Sequence, residues 1–248
     1  MPKAYYNEID SFAAAWLREL IRAGLIMDGE VDERDIRDVE ASDLAGFTRC
    51  HFFAGIAGWD YALQLAGWPD DRPVWTGSCP CQPFSSAGNG KGADDERHLW
   101  PEFARLIGEC RPATVFGEQA PSPMWLEGVA CDLELEGYAC GACVLRASEY
   151  EASHERRRLY WVASDASGER QPQSRKCKQD PSDYAQDAFG EADRLVDAVR
   201  RKALPFLCGG HDGIPGRVGQ VACTGFGNAI VPQVGAEFIG AYLDALSE

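Results

Sequence analysis

Cys50-His51-Phe52-Phe53-Ala54-Gly55-Ile56-Ala57-Gly58 is the stretch that decides the fold class. A short apolar run closed by a glycine-bearing turn has the length of a strand buried on both faces, and such strands belong to parallel sheets. A helical pattern follows through Leu63, Ala66 and Gly67. Strand, tight turn and helix in that order make an α/β unit, and two glycines three residues apart let backbone approach a ligand at the turn. As a pattern alone this GxxG spacing is weak, because many packed turns share it.

Working outward, Pro73-Val74-Trp75 reads as a second buried strand and runs into Gly77-Ser78-Cys79-Pro80-Cys81-Gln82-Pro83-Phe84-Ser85-Ser86-Ala87-Gly88. Pro80 and Pro83 fix their own φ and push their predecessors toward extended backbone, so neither helix nor ladder continues there. Cys81 is therefore expected where a strand's C-terminal end meets a cleft, the place where α/β sheets bind ligands. A small buried hydrophobe is the plain alternative for such a cysteine. Asn89 to Glu96 is too polar for a regular element and suits a mobile lid. Pro101 fits the first turn of a helix whose apolar stripe is Leu99, Phe103, Leu106 and Ile107.

After Arg111-Pro112, the run Ala113-Thr114-Val115-Phe116 is another buried strand, delivering Gly117-Glu118-Gln119 to the same edge as Cys81. An acid at the end of an apolar strand is costly to bury without a partner or a task. Trp125 to Leu135 reads as a helix and Tyr138 to Leu145 as a strand. His154-Glu155-Arg156-Arg157-Arg158-Leu159-Tyr160-Trp161-Val162 then leads from a charged turn into a further strand. Arg156 and Arg158 alternate onto one face and suit a shared binding site, although a basic turn before a strand is the simpler account.

At the N-terminus, Tyr5-Tyr6-Asn7-Glu8-Ile9-Asp10 reads as a strand entering a helix, with Ile9, Phe12, Ala13, Trp16, Leu17, Leu20 and Ile21 recurring at helical steps until Gly24. Glu8 falls at the strand's C-terminal end, where a carboxylate accepts hydrogen bonds from a ribose. An acid complementing a helix dipole is an equal alternative. Residues 28–43 are acid-rich, and Asp35-Ile36 offers a second strand-end carboxylate. Residues 164–205 are polar and loop-rich, with a short helix expected around Asp193–Arg201. Gly209 to Arg217 is turn-rich, and Gly225 to Gln233 introduces a terminal helix with Val234, Phe238, Ile239, Tyr242 and Leu243 inward.

Composition bounds these readings. A chain of 248 residues with 45% apolar content can build one α/β core with a small appendage. No apolar run approaches the ~20 residues of a membrane span, and no signal-peptide core follows Met1, so a cytoplasmic protein is expected. Its ten cysteines are irregularly spaced and read as reduced thiols. Cys140-Gly141-Ala142-Cys143 lacks a second pair, so no metal site is expected. The formal charge of -15 argues against a nucleic-acid partner. Its distribution argues the other way, since residues 154–178 carry a local +4 and residues 1–45 a local -6. A basic face on an acidic protein can track phosphates with strong salt sensitivity.

Pro80-Cys81-Gln82-Pro83-Phe84-Ser85 resembles the nucleophile loop of the DNA (cytosine-5)-methyltransferases. Phe52-Phe53-Ala54-Gly55-Ile56-Ala57-Gly58-Trp59 resembles that family's first motif, which implies that Phe53, Gly55 and Gly58 cradle the methionine part of S-adenosylmethionine. Glu118-Gln119-Ala120 resembles its Glu-Asn-Val motif, with Gln in place of Asn. Arg156 and Arg158 match the arginines of its Gln-x-Arg-x-Arg motif, with His154 in place of Gln. Gly227-Asn228-Ala229-Ile230-Val231-Pro232 resembles its last motif and implies Asn228 at the cofactor.

The resemblance implies a doubly wound, mainly parallel α/β sheet of the Rossmann-like methyltransferase type with a small target-recognition insertion. Residues 1–163 and 222–248 would form the catalytic and cofactor domain, and 164–221 the recognition region. It implies transfer of a methyl group from S-adenosylmethionine to C5 of cytosine in double-stranded DNA by a monomeric enzyme. Cys81 would add to the flipped base, with Glu118, Arg156 and Arg158 around it, and a restriction-modification setting would follow. Segments carrying Glu8 and Asp35 precede the glycine motif instead of following it, so their place at the cofactor requires a chain permuted around one sheet. The alternative is a catalytically impaired relative that binds S-adenosylmethionine or DNA. A thiol hydrolase pairing Cys81 with His51, His98, His154 or His211 finds no supporting context.

Overall fold

The computed structural model describes residues 1–80, 99–150, 156–165 and 230–247. Cys81, the lid expected at Asn89–Glu96, His154, Asn228 and all of the recognition region beyond Asp165 lie outside the described residues. The elements run β1 (Ala4–Asn7), α1 (Ser11–Arg22), β2 (Gly29–Asp32), β3 (Arg49–Phe52), α2 (Gly58–Leu65), β4 (Val74–Gly77), α3 (Trp100–Cys110), β5 (Thr114–Gln119), α4 (Pro123–Leu135), β6 (Tyr138–Arg146), β7 (Arg157–Asp165) and α5 (Pro232–Ala245). No helix among the described residues is long and apolar enough to cross a membrane.

One seven-stranded sheet has the order β2-β1-β3-β4-β5-β7-β6. The first five strands in that order run parallel, and β7 is antiparallel to both β5 and β6. The C-terminal ends of β1 to β6 and the N-terminal end of β7 therefore share one edge. The sheet is doubly wound and mainly parallel, as expected. The N-terminal strands are built into it, with β1 between β2 and β3 in the register Ala4↔Arg49 to Asn7↔Phe52. This is the permuted arrangement that a ligand role for Glu8 requires.

Strand alternation sends residues to two different layers. Cys50 and Phe52 of β3, Trp75 of β4, Val115 of β5 and Trp161 of β7 face α3 and α4. There Phe103 has no exposed surface and its ring lies 5.0 Å from that of Phe52. Trp100 meets Phe103, Trp125 and Trp161 edge-on. Aromatic pairs of this kind contribute about 0.5–1.5 kcal/mol each beyond their buried area. Gly77, the last residue of β4, lies opposite Gly117 of β5. A Cβ on Gly77 would fall 2.4 Å from the Phe103 ring and one on Gly117 2.2 Å from Trp161, so two rings pack under the sheet edge only because both residues are glycine.

The other layer holds α1, α2 and α5. Phe116, Tyr160, Val162, Leu63, Val234, Phe238 and Tyr242 form its apolar part. Beside them, Tyr6, Arg49 and His51 project from β1 and β3 onto Asp60 of α2, which is fully buried, and Thr76 of β4 backs His51. The Tyr6 hydroxyl donates to Asp60 Oδ2 at 2.9 Å, and Gln64 Nε2 donates to Asp60 Oδ1 at 2.7 Å. Arg49 Nη1 lies 3.8 Å and His51 Nε2 3.4 Å from Asp60 Oδ2. His51 Nδ1 bonds Thr76 Oγ1 at 2.8 Å, and Arg49 Nη2 donates to Asp70 at 2.7 Å. A buried carboxylate is tolerated because Tyr6 of β1 and Gln64 of its own helix donate to it and two groups of β3, Arg49 and His51, stand beside it.

Two expectations need correction. The helical periodicity of α1 is present, with Asp10 as N-cap accepting from Phe12 and Ala13 N–H, but Ala13, Ala14 and Leu17 form the buried stripe. Ile9, Phe12 and Trp16 are exposed, and it is Leu17, flanked by Leu20 and Ile21, that packs against Ala4 and Tyr6 of β1. Asp35 does not end a strand. β2 stops at Asp32, and Asp35 caps a short 3-10 turn, accepting from Arg37 N–H. Cys140 and Cys143 both lie in β6, and burial pushes each thiol up to about 12.

Burial pushes the Asp60 carboxyl up, yet His51, Gln64 and Tyr6 outweigh it and hold the group at about 2. A depressed carboxylate contributes stability above its ordinary value near 3.8, and that contribution is lost as pH falls toward about 2. Asp60→Ala should cost about 3 kcal/mol or more in urea unfolding at neutral pH, and should remove part of the acid-side loss below pH ~4. An unfolding midpoint unchanged from wild type would show that the network does not hold the layer together.

Candidate functional site

Every strand of the parallel half points its C-terminal end at one cleft of about 850 Å³. Glu8 and Asp35 line it, as do Phe53, Gly55, Gly58, Glu118, Arg156 and Arg158. Eight of the ten residues singled out from sequence thus come together, and Cys81 and Asn228 lie outside the described residues. Ser78, Cys79 and Pro80 line the cleft as well, and Cys81 follows Pro80 directly in the chain.

The floor of one end is the turn after β3. Phe53, Gly55 and Ala57 have φ of 53°, 57° and 69°. That left-handed region suits Gly55 but strains the other two by about 1–3 kcal/mol each. The turn is held against this strain from β1. Ala54 N–H donates to Asn7 O at 3.0 Å, and Gly55 N–H donates to Glu8 Oε2 at 2.7 Å. Glu8 Oε1 accepts from Asp10 N–H at 2.9 Å, so each carboxylate oxygen keeps a further acceptor position. Gly58 opens α2, where a Cβ would fall 2.7 Å from Ile230 Cγ1, so the segment leading into α5 closes directly over the helix start.

Around Glu8 the lining is mixed, with Asn7, Asp10, Arg34 and Asp35 polar and Ile9, Phe12, Ile36 and Phe53 apolar. Arg34 grips Asp32 through Nη2 at 2.6 Å and Asp43 at 2.8 Å, and Tyr5 hydroxyl also donates to Asp32 at 2.7 Å. Sequence reasoning passed over Asn7, Ile9, Arg34 and Ile36. Their signal was available in part, since each flanks a strand end already suspected of carrying a carboxylate.

At the other end β5 and β7 carry the charged groups. Glu118 pairs with Tyr160 across the two strands, and Arg158 lies two residues toward the N-terminal end of β7 on the same face. Arg158 Nε approaches Glu118 Oε1 to 2.8 Å, an ion pair off the line of a good hydrogen bond. Glu118 is only 6% exposed. Burial pushes its carboxyl above the usual carboxylate range, and Arg158 and Arg156 pull it back only in part. Such an acid can hold a proton at pH values where an exposed glutamate has lost it.

Gln119 resolves the substitution noted in the sequence. Its Nε2 donates to Cys79 O at 3.2 Å and its Oε1 accepts Ala120 N–H at 2.8 Å. The longer amide therefore ties the end of β5 to the backbone two residues before Cys81. Cys79 itself is 6% exposed, and desolvation pushes its thiol far up. It is a buried structural thiol and a poor nucleophile. Trp59 Nε1 donates to Ser78 Oγ at 3.0 Å and anchors the same segment to α2.

Comparison with known proteins bears on what this cleft is for. The C-5 cytosine-specific DNA methylase family model matches residues 68–202, more than half of the chain. The Type II methyltransferase M.NgoMIV of Neisseria gonorrhoeae is 45% identical over 49 residues, 20% of this chain and 16% of that protein. Among solved structures, a protein described as a DNA modification methyltransferase encoded within an E. coli prophage is 19% identical. It has a TM-score of 0.44, and the match covers 67% of this chain and 47% of that one. The Dnmt2 methyltransferase of S. pombe is 15% identical with a TM-score of 0.41, the match covering 80% of this chain and 60% of that one. The chain therefore spans at most about three fifths of the length of these proteins. With the family's model matched over residues 68–202 of its 248, the chain belongs to the C-5 cytosine-specific DNA methylases.

Proposed function

We propose that this chain transfers a methyl group from S-adenosylmethionine to C5 of cytosine in double-stranded DNA, with Cys81 as nucleophile. The observation that carries the proposal is the cleft that brings Glu8, the Phe53–Gly58 turn, Pro80, Glu118 and Arg158 to one sheet edge.

The lining at Glu8 fits the donor. A carboxylate with free acceptor positions suits ribose hydroxyls, and Ile9, Ile36 and Phe53 suit the faces of a purine ring. The turn through Gly55 and Gly58 leaves backbone open to the amino-acid portion. When bound, the donor supplies an electrophilic methyl group.

Cytosine C5 is a poor nucleophile until a group adds to C6. The Cys81 thiolate would form a bond to C6, and the ring electrons then move to C5 as an enamine. An acid at N3 takes up the negative charge that this addition develops, and Glu118 has the raised proton affinity for that task. Arg158, held against Glu118, can donate to the ring's O2. After methyl transfer, loss of the C5 proton and departure of the thiolate restore the aromatic ring. A stacked base exposes neither C6 face, so the cytosine must leave the duplex at a cost of a few kcal/mol.

A second reading, a relative that binds but does not transfer, is favoured by the Gln119 and His154 departures and by the chain's net acidity. The bond from Gln119 to Cys79 O weakens it, because that departure keeps a structural link to the cysteine segment.

Incubation with duplex DNA and methyl-labelled donor should place label at cytosine C5, and Cys81→Ser should abolish it. Donor binding without label in wild type would favour the binder, and label surviving Cys81→Ser would overturn the mechanism. Glu118→Gln should lower kcat by about 10²–10⁴-fold while donor affinity stays within about twofold. The same variant has a pH signature. A carboxyl raised in the folded state costs stability as pH rises from its ordinary value near 4.5 through its folded value. Urea unfolding from pH 4.5 upward should therefore show a decline in wild type that is flattened in Glu118→Gln.

A further inference from the structure

Three consecutive arginines enter β7, and strand geometry divides them. Arg156 and Arg158 line the cleft. Arg157 is exposed on the opposite face of the sheet, where the β6 register sets it directly across from Arg146, also exposed. Directly opposed residues of an antiparallel pair hold their Cβ atoms about 5 Å apart, and like charges there are unfavourable unless something anionic lies between them. No carboxylate among the described residues forms an ion pair with either side chain. The pair ends β6 and begins β7, so it sits on the edge that carries the cleft mouth.

The chain's charge of -15 makes this placement informative. Two guanidinium groups held together beside a cleft form a site for a bridging anion, and their planar forks match the oxygens of a phosphodiester. Against a repelling acidic surface, such contacts must be local to hold a polyanion.

We propose that Arg146 and Arg157 clamp a backbone phosphate of duplex DNA flanking the base that enters the cleft. This rests on the methyltransferase reading above and adds to it a positioning site on the outer face of the β6–β7 hairpin. The contact carries no base information, so its loss weakens binding evenly across sequences.

The test is fluorescence anisotropy of labelled duplex DNA with the full chain, titrated between about 50 and 200 mM salt. Arg146→Gln with Arg157→Gln should reduce the slope of log affinity against log salt by about 1, the loss of one phosphate contact, and each single variant by less than that. Arg146→Lys with Arg157→Lys should restore most of the slope. In the methyl-transfer assay the double Gln variant should raise KM for DNA and leave kcat and donor binding within about twofold. Thermal unfolding of the free double variant should be unchanged or slightly higher, since a like-charge pair has been removed. A slope and KM equal to wild type, in a chain that methylates cytosine, would overturn the clamp while leaving the function standing. Absence of methyl transfer in wild type would instead remove the function, whatever the slope. A slope that responds to the variants only on an RNA duplex would overturn the DNA assignment.

Discussion

The hydrogen bond from Gly55 N–H to the Glu8 carboxylate is 2.7 Å long and joins residues 47 apart in the chain. It exists because β1 lies parallel to β3, residue for residue from Ala4↔Arg49 to Asn7↔Phe52. Parallel pairing gives every such strand the same direction, so the groups that follow each strand gather on one edge. The strained turn at Phe53 and Ala57 persists there because Asn7 and Glu8 fix its neighbours from the side. A domain in which these strands precede the glycine turn thus reaches the same convergence as one in which they follow it.

The two layers under that edge are stabilised differently. Toward α3 and α4 the sheet presents aromatic rings, and the Gly77–Gly117 pair admits Phe103 and Trp161 beneath the floor of the cleft. Toward α2 it presents Tyr6, Arg49 and His51, which converge on Asp60, with Thr76 holding His51 from behind. The aromatic layer contributes apolar burial, which is non-directional. The polar layer adds direction, because each donor must reach its acceptor, and so pins α2 and the turn before it in register with three strands. That rigidity is what a binding turn one residue upstream of the helix needs.

Much of this was legible in the residues themselves. Short apolar runs ending in Gly or Pro located β3, β4 and β5, and helical spacing located α3, α4 and α5, because burial imposes those periods wherever the element is packed on one side. The family motifs then marked Glu118, Arg156 and Arg158, and the sheet brings these to the same cleft as Glu8. What failed was any inference that needed a packing partner. Periodicity put Phe12 and Trp16 on the apolar stripe of α1 with Ala13 and Leu17, but it cannot say which edge of that stripe meets Ala4 and Tyr6, and it is Leu17 that does. Asp32 and Asp35 look alike in an acid-rich segment, and only β1 pairing decides that the strand ends at the first of them. The Asp60 network was illegible because its members are spread from Tyr6 to Thr76 and no local pattern joins them.

The central claim is that the thiol of Cys81 reaches C6 of a base held beside Glu118 and Arg158. Duplex DNA carrying 5-fluorocytosine at the target position tests it most directly, because fluorine cannot leave C5 as the proton does and the adduct cannot collapse. With S-adenosylmethionine present, mass spectrometry should find a covalent complex of one chain and one duplex, with the modified peptide containing Cys81. Absence of a complex, when unmodified DNA of the same sequence is methylated, or an adduct on Cys79 instead, would contradict the account.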